Sequence, residues 1–317
     1  MDETVSAISH SSLANPTISN KILSLYTRGL SSAAVLELLR DTYDVWQPQV
    51  VINATTDAVL KDYNAWQDGA LDRQYIIVFF DSLTVKFRVG TEDRKYTVLL
   101  ALGIDLHGQK CPLGFWLTAD EGRHAWQLVL TELKHRGVND IFIACMYGQL
   151  GAREAIAKVF PAAQALLCVV RLIDNSLNFI AWKHRKEAAS ALRGVYTCAT
   201  VELAAEAMTR VMCDYDDRYP TIGRLWQTHW DGLAELFNLP RPLREAVYST
   251  TAIQSLHQSL AKVSKRHGVF TEENDLLIRL YLSQHYLVRR WGQPLRHWRQ
   301  VLNCLATTYE NRLRIKF

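Results

Sequence analysis

The chain has 317 residues, 49% hydrophobic and 21% charged, with a formal net charge of +4. That is enough apolar material for a large core, and the 8 prolines and 15 glycines are too few for a fibrous or linker-dominated protein. No apolar run approaches the roughly 20 residues of a membrane span, and the opening "MDETVSAISHSSLANPTIS" lacks a signal peptide's basic start and apolar stretch, so a disordered polar leader (1–19) and a cytoplasmic protein without membrane contact are expected. The cysteines Cys111, Cys145, Cys168, Cys198, Cys213 and Cys304 form no CxxC pair and mostly sit in apolar surroundings, which points to reduced thiols.

Residues 20–70 read as helical. "NKILSLYTRGL" ends on Gly29 as a C-cap, and "SSAAVLELLRDTY" starts with a serine cap and lines up Val35, Leu38 and Leu39. "QPQVVINATTDAVLKDYNAW" carries Pro48 near its start. Three short helices are compatible with a helix-turn-helix whose second motif helix runs from about Gln49 to Leu60, although three-helix bundles without DNA share this pattern. From Tyr75 the period changes. "YIIVFFD" is a buried strand, "SLTVKFRV" alternates, and "KYTVLLALGID" and "CPLGFWLT" follow around the turn "LHGQK", giving three antiparallel strands in sequence. The amphipathic helix "EGRHAWQLVLTELKHRG", the strand "DIFIACM", the helix "GAREAIAKVF" and the strand "AQALLCVV" come next. This order predicts an α/β fold whose sheet has an antiparallel and a parallel side over 71–173. Residues 174–240 read as a helical insertion, and 241–317 complete the core with helices at roughly 252–265, 272–290 and 294–313.

Few residues offer chemistry. Asp81 ends the first apolar run, where a carboxylate is held rigidly and suits a divalent cation, although Asp also serves turns. GxSxG, HExxH and P-loop motifs are absent. Cys168 stands near Arg171, which would lower a thiol pKa, but the run "ALLCVV" favours an inert core cysteine. From His257 onward there are 11 Lys/Arg against 4 Asp/Glu, an excess that suits a polyanion or a solvated helical surface. Lys262, Lys265 and Arg266 cluster in "KVSKRHG", and Arg289, Arg290, Arg296 and Arg299 flank Trp291 and Trp298, an arrangement compatible with stacking and phosphate contacts. Trp226 and Trp230 are expected to be packing anchors.

Nearly the whole chain, from about Asn20 to Leu313, resembles the Mutator-type transposases of bacterial insertion sequences. The resemblance is carried by "ILSLYTRGLSS", "FFDSLTVKFR", "LALGIDLHGQKCPLGFW", "EGRHAWQLVLTELKHRGVNDIFIAC", "WKHRKEAASALRGVY" and "YSTTAIQSLHQSLAK". It implies a ribonuclease-H-like sheet with a helical insertion. It also implies an Asp, Asp, Glu triad that holds two Mg²⁺ ions for phosphoryl transfer, a double-stranded DNA partner, and assembly as a homo-oligomer. Carried over position by position, the triad falls on Asp81, Tyr147 and Gln254, so one carboxylate remains of three. A neutral amide and a phenol in place of two carboxylates should abolish cation binding, leaving no metal and no cofactor.

Other departures accompany these. In "CVVRLIDNSL", Arg171 stands where the family has His and Asp174 where it has Arg; His257 and Gln258 replace Asn-Arg; Asn53 and Ala54 replace Ser-Arg in the candidate recognition helix. Asp140, Glu154 and Asp174 are the nearby carboxylates, none at a matching position. The expectation is a DNA-binding, catalytically inactive transposase descendant contacting DNA through Asn53, Lys262, Lys265, Arg266, Arg289, Arg290, Arg296 and Arg299. The alternatives are a still-active transposase and a protein-interaction scaffold.

Overall fold

The computed structural model describes residues 16–43, 45, 47–119, 121–148, 151–309 and 312–313. The expected leader falls largely outside these residues; the part that is described opens the first helix, four residues earlier than its sequence suggests. Three helices lead the chain: α1 (Pro16–Thr27), α2 (Ser32–Tyr43) and α3 (Pro48–Gln67). Their apolar stripes (Ile22, Leu25, Tyr26, Val35, Leu39, Val51, Ile52 and Val59) close on one another and on Ile278 much further along the chain.

The sheet then forms from β1 (Gln74–Val89), β2 (Glu92–Ile104), β3 (Lys110–Thr118), β4 (Asp140–Met146) and β5 (Gln164–Leu167), with α4 (Arg123–His135) and α5 (Ala152–Val159) between them. Its order is β3-β2-β1-β4-β5, with β1–β2 and β2–β3 antiparallel and β1–β4 and β4–β5 parallel. The molecule is thus a mixed α/β protein. β1 is one strand of 16 residues, where its sequence reads as two runs. β2 accompanies it from Ile77 to Val89, but β4 leaves it after the Phe79–Cys145 pairing. Up to that point β1 is covered on both faces and reads as a solid apolar run; beyond it one face opens and the residues alternate. Asp81 therefore lies inside the strand, not at its end.

Helices fill both faces. Val78 and Phe80 pack on one side with Trp126, Leu130 and Ile156 of α4 and α5. Ile77, Phe79, Leu83, Val85 and Phe87 pack on the other against the later helices. These are α6 (Val169–Asn178), α7 (Arg185–Tyr196), α8 (Val201–Tyr215), α9 (Pro220–Thr228), α10 (Trp230–Ala234), α11 (Arg241–Ser249), α12 (Ala252–His267), α13 (Glu273–Val288) and α14 (Trp298–Thr308). A two-residue strand, β6 (Val269–Phe270), pairs with β1 at Lys86 and Phe87, where the sequence reads as helix and loop alone. β5 is only four residues long: Cys168 caps α6, and Val169 and Val170 turn helical where a strand is expected. Among the described residues no helix is long and apolar enough to cross a membrane.

Two tryptophans act as anchors. Trp226 is fully buried and donates Nε1–H to Ser176 Oγ at 2.9 Å, as its sequence suggests. Trp298 is no stacking platform: it is 7% exposed and donates to the Leu106 carbonyl at 2.9 Å. Its ring covers Gly108, whose φ of +77° turns β2 into β3; a Cβ there would stand 2.7 Å from the indole.

Arg279 ties the leading helices to the core. It is fully buried in α13, donates Nε–H to Asp275 at 2.8 Å and Nη1–H to the Tyr26 carbonyl at 3.1 Å, and lies 4.3 Å over the Tyr26 ring. Replacing it takes the guanidinium from Asp275 and leaves that carboxylate with His267 Nε2, 3.3 Å away, a ring whose pKa burial lowers. Arg279→Ala should lower stability by about 3–5 kcal/mol, read as a shift of the urea midpoint; a stability within about 1 kcal/mol of the natural protein would contradict the role given to Arg279.

Candidate functional site

The face of β1 that carries Ile77, Phe79, Leu83, Val85 and Phe87 includes one polar member, Asp81. Strand alternation forces its carboxylate toward the helical layer, and the residue is 2% exposed. Continuing the β1–β4 register past Phe79–Cys145 sets Tyr147 beside it, one residue beyond β4. Gln254 occupies the first turn of α12, which packs across β1 at the same level. The three positions singled out from the sequence thus gather at one place.

Helix α6 brings Arg171, Asp174 and Asn175, spaced i, i+3 and i+4, so they share one face. Helix α12 brings Gln254, His257 and Gln258 with the same spacing. The two faces meet over Asp81. Arg171 Nε lies 2.9 Å and His257 Nδ1 3.0 Å from Asp81 Oδ2, ion-pair distances without the alignment of a hydrogen bond. Asp81 Oδ1 accepts from the Ser82 amide at 2.9 Å. The other end of the guanidinium, Nη1, donates to Asp174 Oδ2 at 2.8 Å, and Nη2 is 3.4 Å from His257 Nε2. Asp174 Oδ1 accepts from Gln254 Nε2 at 2.7 Å and from Gln258 Nε2 at 3.4 Å. Since an ionised carboxylate only accepts, both amides must turn their NH₂ groups toward it.

Tyr147 meets the same face of α6 through Asn175. Its Oη accepts from Asn175 Nδ2 at 2.7 Å, and its ring lies 5.1 Å from that of His229. Burial raises the phenol pKa above its ordinary value, partly opposed by the Asn175 hydrogen bond and the Arg171 charge. Burial lowers that of His229. Both groups are therefore neutral near pH 7.

The charge count is two carboxylates and one guanidinium, −1 in sum without His257. Each of the four carboxylate oxygens has a nitrogen within 2.9 Å. A pair of divalent cations does not fit this donor set. Mg²⁺ needs six oxygens at about 2.0–2.1 Å, whereas here three of the four carboxylate oxygens accept N–H hydrogen bonds and a fixed positive charge already lies between the carboxylates.

Asp174, which matches no position of the family triad, does reach the site. Asp140 does not: it starts β4, at the far end, and pairs with Arg312 at 2.6 Å. Glu154 is exposed on α5. His229 carries no sequence motif; Asn175 lies in the "NSL" of "CVVRLIDNSL", and its i, i+3, i+4 spacing with Arg171 and Asp174 would reveal its role once α6 is known to start at Val169. Lys262, Lys265 and Arg266 are exposed toward the C-terminal end of α12, about two turns beyond Gln254. Arg289, Arg290, Arg296 and Arg299 are exposed around the α13–α14 connection. Asn53 lies on the exposed face of α3 and accepts from Gln49 Nε2 at 2.8 Å; its exposed neighbours Gln49, Val50, Ala54 and Asp57 include no basic residue.

With this geometry in place, the comparisons define the class. The profile of the Mutator family of transposases matches residues 8–292, and the chain belongs to that family. A protein of Sinorhizobium fredii named "Probable transposase for insertion sequence element ISRM3-like" is 33% identical over 298 residues, covering 94% of this chain and 74% of the relative. The Rhizobium meliloti "Transposase for insertion sequence element ISRM3" is 32% identical over the same shares. A Corynebacterium diphtheriae relative, a "Probable transposase for insertion sequence element", is 30% identical over 93% of this chain and 92% of its own length.

All six cysteines are free thiols. Burial pushes Cys168 up to about 12 despite Arg171 nearby, and pushes Cys145 well above its ordinary value. Neither should be nucleophilic at pH 8. A thiol reagent at that pH should label exposed Cys213 quickly and reach Cys168 and Cys145 only in denaturant; fast labelling of Cys168 in the folded chain would show that its environment is misread.

Proposed function

We propose that this member of the transposase family is a DNA-binding protein that has lost strand-transfer chemistry. The observation that carries this reading is the state of Asp81. The one carboxylate left at the three triad positions is buried against Arg171 and His257, with Tyr147 and Gln254 where the resemblance places the other two. Two-metal phosphoryl transfer needs anionic ligands with free lone pairs to hold its cations, activate a nucleophile and stabilise the leaving oxygen. A phenol held neutral and an amide turned nitrogen-first supply neither. Mg²⁺ binding at this place is lost on this reading.

The sheet order, with its antiparallel side, parallel side and helical block between β5 and α12, supports a ribonuclease-H-like core. The buried apolar strands β1 and β4 support retention of the protein, since a gene decaying freely would place polar residues in its core as readily as in its site. The DNA contact is assigned to the exposed cations Lys262, Lys265 and Arg266, with Arg289, Arg290, Arg296 and Arg299 as a second group. Asn53 joins them as a helix-surface amide able to hydrogen-bond a phosphate or base edge. The names of the insertion-sequence relatives support DNA as the partner; a cytoplasmic location and a homo-oligomer are part of the same proposal.

The test is a salt series of duplex binding alongside a nicking assay with Mg²⁺ or Mn²⁺. Binding should weaken steeply with salt and no nicks should appear. Lys262→Ala/Lys265→Ala/Arg266→Ala should reduce the log–log salt slope by up to about three, roughly one for each phosphate no longer neutralised. Cation-dependent nicking that disappears in Asp81→Ala would mean an active transposase. Absence of DNA affinity at physiological salt would instead favour a protein-interaction scaffold.

A further inference from the structure

The departures at Arg171, Asp174, Gln254, His257 and Gln258 are scattered over 88 positions of sequence, yet they form one network around Asp81. We propose that the guanidinium of Arg171 is the resident cation of this site, a permanent positive charge that takes up both carboxylates and closes the cluster to divalent metal. This rests on the reading that the chemistry is lost, and adds what replaced it.

The geometry is that of a bridging counter-ion. One edge of the guanidinium meets Asp81 at 2.9 Å and the other meets Asp174 at 2.8 Å. An arginine holds its proton at any accessible pH, and its planar fork presents donors in two directions at once. A carboxylate 2% exposed needs a cation close by, and Arg171 supplies one that neither dissociates nor depends on solution conditions. The remaining interactions follow from that choice. Asp174 takes up the guanidinium's second edge, and Gln254 and Gln258 present NH₂ groups to its other oxygen. A glutamate at position 254 would put a second carboxylate 2.7 Å from Asp174 Oδ1, where the amide nitrogen now sits. Gln254 is therefore the residue that Asp174 requires, and Asp174 the residue that Arg171 allows. Restoring carboxylates at 147 and 254 alone would add negative charge around a guanidinium that still fills the centre.

The consequence is exchangeability: with Arg171 neutralised, a free divalent cation should regain its place between Asp81 and Asp174. Thermal unfolding of the purified full chain, in EDTA and in millimolar Mn²⁺, reads this without DNA. The natural protein should show the same Tm in both. Arg171→Gln should lose about 5–10 °C in EDTA, the cost of unpairing one buried and one half-buried carboxylate, and recover part of it with Mn²⁺ in a saturable way. Asp81→Asn/Arg171→Gln, which removes a charge together with its counter-ion, should regain stability without metal and ignore Mn²⁺. A natural protein stabilised by Mn²⁺ overturns the proposal, as does an Arg171→Gln protein that keeps its Tm or gains nothing from the metal. If Arg171→Gln does not fold, the double variant decides: folding supports charge balance, and failure to fold assigns Arg171 a packing role and overturns the proposal. Nicking by a natural protein whose Tm ignores Mn²⁺ and whose nicking survives Asp81→Ala would sink the inactive reading alone; nicking that needs Asp81 would sink both.

Discussion

A carboxylate in the middle of a two-sided sheet is the constraint from which the rest of the site follows. β1 runs through the centre of the molecule with β2 along one edge and β4 along part of the other, and Asp81 interrupts its apolar row where β4 departs. The side chain cannot turn to solvent without breaking the strand's alternation, so its charge must be balanced where it stands. In this protein the balance comes from Arg171, with His257 Nδ1 also 3.0 Å from the carboxylate, and both helices above the sheet are populated accordingly. The pairing is less a source of net stability than a condition that must be met, because desolvation cancels much of the attraction in a buried ion pair.

Helix α12 divides into an inner and an outer part. Its first turns supply Gln254, His257 and Gln258 to the interior, while its last turns expose Lys262, Lys265 and Arg266. Residues on the inner face are tied to one another by hydrogen bonds and must change together; the exposed ones are free of that coupling. A transposase scaffold altered at its site can therefore keep its surface. Arg279 adds a mechanical link, joining α1 to α13 and so holding the leading helices in a fixed relation to the sheet.

Much of this architecture is legible in the sequence because burial imposes period. Fully covered strands such as "IFIAC" read as solid apolar runs, the half-covered end of β1 alternates, and α4 shows a clear apolar stripe. The errors fall where local pattern and tertiary pairing diverge. β1 looks like two segments because its covering changes at Asp81, although its pairing with β2 is unbroken. "ALLCVV" has strand composition, yet the strand ends at Leu167 and a helix begins at Val169, since β-branched residues are tolerated in a helix whose buried face they fill. β6 is too short to carry a period at all. Trp298 has basic neighbours in sequence, but its ring is spent on Gly108 and the Leu106 carbonyl.

By itself the sequence determined the α/β class, the family and the clustering of cations toward the C-terminus, and it singled out Asp81, Tyr147 and Gln254 as candidate site positions. These depend on composition, period and aligned motifs, which a linear chain carries in full. Only the tertiary structure decided what the altered residues mean together. Arg171 and Asp174 lie about 80 residues before Gln254 and His257, and no local rule relates them. Two helix faces of identical spacing had to be folded over one buried aspartate before a guanidinium could be seen between two carboxylates, because electrostatic compensation is a property of distance in space and not of separation along the chain.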